Sequence, residues 1–96
     1  MHVVLWRFRV RPGREPEFEA AYAPAGSWAA LFARDPAYRG SDLMRATDGT
    51  YLTLDRWDSK EAYEAFRARH AEEYDAIDGK CDALIEDEAP LGAVDV

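Results

Sequence analysis

The chain has 96 residues, of which 19 are acidic and 12 are basic, so its formal net charge is −7. This length predicts one domain over residues 1–96, and so small a domain buries little surface unless a partner subunit covers part of it. The negative charge argues against nucleic acid and anionic membranes, because both attract clustered positive charge. No apolar run approaches the roughly 18 residues of a membrane helix. We therefore expect a globular domain that binds neither nucleic acid nor membranes.

The single cysteine, Cys81, excludes an internal disulfide bond. The N-terminus lacks the basic and apolar regions of a signal peptide, so we expect a cytoplasmic protein. No phosphate-binding glycine loop and no CxxC, HExxH or GxSxG motif is present. The acidic run 86–88 lacks the glycine-punctuated pattern of a cation-binding loop, and we interpret it as a solvated turn. We therefore predict no metal site.

Residues 2–11 alternate between two faces, which is typical of a half-buried strand. Pro12 and Gly13 end this strand. The apolar face consists of Val4, Trp6, Phe8 and Val10, and the basic face of Arg7, Arg9 and Arg11.

Residues 14–34 carry apolar side chains at intervals of three and four, which predicts a helix after the strand. Pro24 cannot donate a backbone hydrogen bond, and Gly26 lies close by, so we expect the helix to break near residues 24–27. Ser27 is the expected N-cap of the second segment.

Two short runs, residues 38–47 and 50–57, flank Asp48-Gly49, a dipeptide that favours a tight hairpin. A second long helix follows. Asp58, with Glu61 three residues later, is its expected N-cap, and Ser59 is the alternative. Residues 87–96 are predicted to form an edge strand because they contain proline and glycine. The second helix carries one apolar stripe, made of Tyr63, Phe66, His70, Tyr74, Ile77, Cys81 and Leu84.

The predicted order is β-α-β-β-α-β, the split βαβ pattern of α+β, ferredoxin-like domains. Such a domain has a four-stranded antiparallel sheet with both helices on one face. The other face is left free and is the expected surface for a homodimer. Arg7 and Arg9 are expected on that free face, where Asp55 or acids of a second chain would neutralise them.

Three stretches of the sequence carry a resemblance to a known family. They are residues 8–13 with Glu17 and Phe18, then Tyr38-Arg39-Gly40, and residues 51–59 continuing to Phe66. In these stretches the chain resembles the antibiotic biosynthesis monooxygenase (ABM) family of dimeric α/β barrels. The resemblance implies a homodimer with face-to-face sheets and a pocket between sheet and helices. It also implies oxidation of polycyclic or quinol-type aromatics by molecular oxygen without a metal, flavin or other cofactor.

Relatives in the wider superfamily degrade haem with an asparagine, a tryptophan and a histidine. The corresponding positions here are Trp6, Phe66 and Ala76, none of which matches. Haem degradation is therefore disfavoured, unless His70 serves as the ligand.

Cofactor-free oxygenation requires an aromatic pocket, a proton acceptor and donors that hold the substrate anion. His70 is the expected base, since its reference pKa suits proton transfer near neutral pH. Tyr63 or Tyr74 would handle protons at a substrate oxygen. The expected substrate-binding residues are Trp6, Phe8, Trp28, Phe32 and Phe66.

The same residues have a simpler interpretation, in which the rings fill the core and His70 is a hydrogen-bonded core histidine. The leading hypothesis is a cofactor-independent monooxygenase of a small aromatic or quinol-type substrate. The alternative is a non-catalytic dimeric module that binds a hydrophobic small molecule, and a third hypothesis is haem binding through His70. A cavity of roughly 300 Å³ or more would favour ligand binding.

Overall fold

A computed structural model describes residues 1–96 and confirms the predicted α+β, ferredoxin-like architecture. The first predicted helix consists of two segments, as does the second, and a single 3₁₀ turn precedes the last strand. In chain order the elements are β1 (His2–Val10), α1 (Glu15–Tyr22), α2 (Ser27–Phe32), β2 (Tyr38–Arg45), β3 (Tyr51–Trp57), α3 (Lys60–Arg69), α4 (Ala71–Cys81), the 3₁₀ turn (Asp82–Leu84) and β4 (Ile85–Asp95).

The four strands form one antiparallel sheet in the order β2-β3-β1-β4. Residues paired across an antiparallel ladder share a face, so the apolar face of β1 fixes the face of every neighbour. Val4 pairs with Asp55 of β3 and with Ala93 of β4. Trp6 pairs with Thr53, and Phe8 pairs with Tyr51. This common face packs against the helices, and the opposite face is free.

Three aromatic side chains form the centre of the core between the sheet and the helices. Phe18 of α1, Trp57 of β3 and Phe66 of α3 are each fully buried, with 0% exposure. The ring centroids of Phe66 and Trp57 lie 5.0 Å apart, and those of Phe66 and Phe32 lie 5.5 Å apart. Burial of each such ring stabilises the fold by about 2 to 3 kcal/mol. This cluster fixes α2 and α3 over the sheet.

The helix boundaries follow the predictions in part. The first helix breaks between Tyr22 and Ser27 as predicted, but Gly26 is the N-cap and Ser27 is the first helical residue. The predicted cap Asp58 is wrong, and the alternative, Ser59, is correct: its Oγ accepts the backbone N–H of Ala62 at 3.1 Å. Asp58 does not cap because both its carboxylate oxygens are held by Arg39.

The second predicted helix is interrupted at His70, where φ is −113° and ψ is 29°. Gly79 lies within α4 and does not end it. The last strand begins at Ile85, so Glu86–Glu88 form part of β4, and the expectation of a solvated turn is wrong.

Asp55 does not lie beside Arg7 and Arg9, and that expectation is also wrong. Its pairing with Val4 places it on the helix-covered face, whereas Arg7 and Arg9 are exposed on the free face. His2 is better fixed than a terminal residue would suggest, since it is buried and its Nδ1 lies 2.9 Å from a carboxylate oxygen of Asp95. No helix is long and apolar enough to span a membrane.

Candidate active site

A cavity of about 180 Å³ lies between the helix-covered face of the sheet and the helices, and it opens to solvent on one side. Its wall combines aromatic rings with a small number of polar and charged groups, as is usual for small-molecule sites. The lining residues are Trp6, Phe8, Tyr22, Ala23, Trp28, Ala29, Phe32, Ser41, Thr53, Asp55, Tyr63, Arg67, Tyr74, Asp78 and Glu88.

Most of the aromatic residues that were predicted from the sequence to contact the substrate line this cavity. The ring of Trp28 meets that of Tyr74 edge to face, with centroids 4.8 Å apart, and Tyr22, which was not predicted, lies 6.0 Å from Trp28. Phe66 does not line the cavity, because it is fully enclosed by the core rings. The predicted residues in the wall are Trp6, Phe8, Trp28, Phe32, Tyr63 and Tyr74.

His70 also lies outside the cavity. Its ring packs on Phe66 at a centroid distance of 4.8 Å, and its side chain is 18% exposed. The structure supplies a carboxylate that orients the ring: Nδ1 of His70 lies 2.7 Å from a carboxylate oxygen of Glu73. A hydrogen bond from His70 lowers the pKa of Glu73. The histidine therefore resembles the hydrogen-bonded core histidine of the simpler interpretation.

One of the three acidic residues of the wall, Asp55, lies in the middle of β3. Ser41 on the neighbouring strand β2 donates its hydroxyl to Asp55 Oδ1 at 2.6 Å. No cationic side chain lies within 4 Å of this carboxylate. Burial raises the pKa of Asp55 to about 6, and the bond from Ser41 opposes that rise. Asp55 is thus a carboxylate at neutral pH that takes up a proton readily.

Arg67 supplies the positive charge in the wall. Its guanidinium carbon lies 4.3 Å from the ring centroid of Tyr74 and 6.0 Å from that of Tyr63, in cation–π contacts with both. The acidic side chains near Arg67 on this helical segment have other partners: Lys60 pairs with Glu64, and Arg34 and His70 contact Glu73. Arg69 pairs with Asp35. Arg67 has no acidic partner within 4 Å, so its N–H groups are available to a ligand.

Burial raises the pKa values of four other ionisable groups of the wall. Burial raises the pKa of Tyr74 to about 12 and raises that of Tyr22 as well, so both hydroxyls stay protonated at neutral pH. Burial and neighbouring carboxylates raise the pKa values of Asp78 and Glu88. No group of three or more histidine, cysteine or acidic side chains is close enough to hold a metal ion.

Sequence reasoning did not place Asp55 and Arg67 in the wall, although Asp55 had left a signal. In residues 51–57, Tyr51, Thr53, Asp55 and Trp57 alternate with Leu52, Leu54 and Arg56. Period-two alternation places Asp55 on the face of the two large aromatics, which is the buried one. Arg67 left no comparable signal, because a charged residue next to a helical stripe usually faces solvent.

Replacement of Asp55 by asparagine is expected to stabilise the protein at neutral pH but not at acidic pH. The native pKa, about 6, exceeds the ordinary value of an unfolded aspartate, so the native state binds more protons and loses stability as pH rises through that interval. Above pH 7 the free energy of unfolding of the variant should exceed that of the wild type by about 3 kcal/mol, and this difference should vanish near pH 4. Urea denaturation at the two pH values measures it. Asp58→Asn, an exposed acid one residue beyond the strand, is the control. A gain independent of pH would contradict the prediction.

Comparison with known proteins identifies the family to which the chain is similar. The model of the family described as antibiotic biosynthesis monooxygenase matches residues 1–76. Among proteins with curated descriptions, none matches the sequence. A point variant of SnoaB, a cofactor-independent oxygenase from Streptomyces nogalater, is 24% identical with a TM-score of 0.80, covering 99% of this chain and 91% of that one. A NIPSNAP domain protein from Burkholderia xenovorans is 19% identical with a TM-score of 0.72, covering 100% and 94%.

Because the family model covers most of the chain, and the solved structures share its fold along its whole length, this protein belongs to the antibiotic biosynthesis monooxygenase family.

Proposed function

We propose that the protein is a cofactor-independent monooxygenase that oxidises a small phenol or quinol-type aromatic in the cavity between sheet and helices. The observation that supports this most is Asp55, a carboxylate in an aromatic cavity with no cationic partner and a pKa of about 6. An acid of this kind accepts a proton from a weakly acidic hydroxyl more readily than an ordinary aspartate does.

The proposed chemistry starts with removal of the substrate's O–H or adjacent C–H proton by Asp55. The electron-rich anion then reduces molecular oxygen, and one oxygen atom becomes a carbonyl of the product while the other leaves as water. The substrate supplies the four electrons that reduce the two oxygen atoms, and it loses the two hydrogens that balance the water. The protein contributes a proton acceptor and a site with restricted access to water.

Arg67 and the two tyrosines complete the proposed machinery. The guanidinium of Arg67 has no acidic partner and bears donors that match a phenolate oxygen. Tyr63 and Tyr74 belong to the same wall, and the hydroxyl of Tyr74 keeps its proton at neutral pH. Donors positioned before the reaction stabilise charge as it develops, and in many enzymes this stabilisation lowers the barrier more than any other effect does.

We assign the base to Asp55 rather than to His70, because His70 lies outside the cavity and its Nδ1 is bonded to Glu73. The same position weakens the haem hypothesis. Haem is also far larger than a cavity of about 180 Å³ accommodates.

The volume narrows the substrate class. It is below the roughly 300 Å³ at which typical ligand pockets begin, but it is similar to the roughly 150 Å³ of an engineered apolar cavity that binds benzene. A single aromatic ring therefore fits, whereas a polycyclic substrate requires movement of the wall. The alternative of a non-catalytic binding module is subject to the same size limit, and Asp55 favours the enzyme.

We also propose a homodimer formed through the free face of the sheet. Apolar side chains extend across the middle of this face, where Leu5 pairs with Leu54, and Met44 and Val94 are exposed. Arg7 and Arg9 form no salt bridge within the chain. An apolar centre with unpaired charges at its border fits an isologous contact in which acids of one subunit meet arginines of the other.

Oxygen consumption with hydroquinone, a naphthoquinol and anthrone tests the proposed activity. Turnover should be fastest with the single ring, because the cavity is small. Below pH 6 the wild-type kcat/KM should rise about tenfold per pH unit and then level off, as ionisation of Asp55 requires. Asp55→Asn should lower kcat/KM by at least about 100-fold, and Asp58→Asn should leave it unchanged. Retention of activity in Asp55→Asn would refute the assignment of the base.

The variants Arg67→Met and His70→Gln test which of these two polar side chains takes part in the reaction. Loss of the guanidinium removes charge-assisted hydrogen bonds to the developing oxyanion, so Arg67→Met should lower kcat/KM by about 10²-fold. His70→Gln changes a side chain outside the cavity that makes no contact with the developing oxyanion. Its kcat/KM should therefore stay within about twofold of the wild-type value. Steady-state kinetics at pH 7.5 measure both. The reverse pattern would restore His70 as the base.

Sedimentation at micromolar concentration tests the dimer. The wild type should have twice the 10.9 kDa mass of the chain. Leu54→Arg introduces a charge at the centre of the proposed contact and should shift the protein to monomers. Ala68→Arg adds the same side chain at an exposed position of α3 and should not. A monomeric wild type would refute this interface.

A further inference from the structure

Asp55 is the inner end of a chain of hydrogen bonds that continues into the edge strand. Its carboxylate accepts the hydroxyl of Ser41 at 2.6 Å, and Ser41 Oγ is in turn hydrogen-bonded to the hydroxyl of Tyr38. Tyr38 is half-buried at the first position of β2, one of the two edge strands of the sheet. The three groups therefore connect the cavity with the edge of the sheet.

The direction of these bonds follows from their chemistry. An ionised carboxylate only accepts hydrogen bonds, so Ser41 must use its single hydroxyl proton on Asp55. In the second bond Ser41 can then act only as acceptor, and Tyr38 donates. Burial raises the pKa of Tyr38, so its hydroxyl keeps its proton at neutral pH. All three groups are thus aligned toward the carboxylate.

We propose that Ser41 and Tyr38 are positioning residues that hold Asp55 in the cavity and relay a proton between it and the sheet edge. This inference rests on the proposed function, in which Asp55 takes a proton from the substrate. Protonated Asp55 would donate to Ser41, Ser41 to Tyr38, and Tyr38 its own proton outward. Each oxygen of the chain gains one proton and loses one, and solvent water at the sheet edge accepts the proton that leaves Tyr38. A proton taken back from solvent completes the water that is formed from oxygen.

The other groups around Asp55 do not provide such a connection. Ser41 is the one side chain whose hydrogen bond lowers the pKa of Asp55 against the effect of burial. The remaining titratable or charged residues of the cavity wall come from α1, α3, α4 and β4, and they are Tyr22, Tyr63, Arg67, Tyr74, Asp78 and Glu88.

Carbon-13 NMR of the ligand-free protein tests the relay without reference to catalysis. The Asp55 carboxyl carbon should titrate near pH 6 in the wild type, about one unit higher in Ser41→Ala, and near the wild-type value in Ser41→Thr, which restores the hydroxyl. The ring carbon that bears the Tyr38 hydroxyl should follow the same titration, because reversal of the chain turns Tyr38 from donor to acceptor. In Ser41→Ala that second response should disappear.

Thr50→Val is the matched control. Thr50 donates its hydroxyl to Asp48 at 2.6 Å, the same length as the bond from Ser41 to Asp55, but at the hairpin turn. The Thr50→Val variant should leave the titrations of Asp55 and Tyr38 unchanged. If the pKa of Asp55 is the same in Ser41→Ala as in the wild type, the positioning role is refuted. If the Tyr38 ring-carbon shift does not change as Asp55 titrates, the relay is refuted.

Kinetics then separate this inference from the proposed function. At pH 8.5 Asp55 is ionised in every variant, so differences in its pKa do not affect the rate. Tyr38→Phe removes the outer group of the relay and should therefore lower kcat by about tenfold or more without change in KM. An unaltered kcat would overturn the relay in turnover. Absence of turnover in the wild type with every phenol, combined with the expected NMR shifts, would refute the proposed function and leave the hydrogen-bonded chain intact.

Discussion

The register of β3 is the constraint on which the rest of the site depends. Trp57 and Tyr51 are almost fully buried at the two ends of this strand, and a shift of one residue would turn both to the free face. Because side chains alternate, the register that buries these rings also directs Asp55 at the helices. The carboxylate is therefore held in an unfavourable environment by the aromatic residues on its own strand, and only the hydroxyl of Ser41 offsets the lost solvation.

The aromatic residues divide into two groups with different consequences. Phe18, Trp57 and Phe66 are enclosed on all sides and fix the positions of the helices. Trp6 and Tyr74 are only half-buried, and they leave a gap that this small core does not close. A 96-residue domain has few apolar groups to spare, so a cavity of about 180 Å³ sacrifices packing that would otherwise stabilise the fold. Its polar wall is consistent with selection for ligand binding rather than for stability.

The order and type of the elements were predictable because each has a local cause. Alternation identified β1, Asp48-Gly49 identified the hairpin, and Pro24 with Gly26 identified the helix break. The cap of α3 was ambiguous, since Asp58 and Ser59 both suit an N-cap. Tertiary contact with Arg39 decided it, and sequence does not show such a contact.

The chemistry of the site was harder to predict than the fold. Helical spacing places His70 on the same stripe as Tyr63 and Tyr74, but it does not distinguish a residue packed beneath the rings from one that reaches the cavity. The break at His70 adds a local change of direction that periodicity does not contain. The face of Asp55 is ambiguous in the sequence because β3 has large apolar side chains on both faces. Attraction to Arg7 favours the free face, whereas alternation with Tyr51 and Trp57 favours the buried face, which is the one observed.

The two faces of β3 connect the proposed dimer with the proposed chemistry. Leu54 and Asp55 are consecutive, so one points at the free face and the other into the cavity. A subunit packed on Leu54 would restrict the same segment of backbone that orients the carboxylate. A protein interior is closely packed and transmits such restraint, whereas solvent on the free face does not. Dimerisation would therefore contribute to the site without supplying a residue to it, by limiting the positions from which Asp55 meets Ser41 and the substrate.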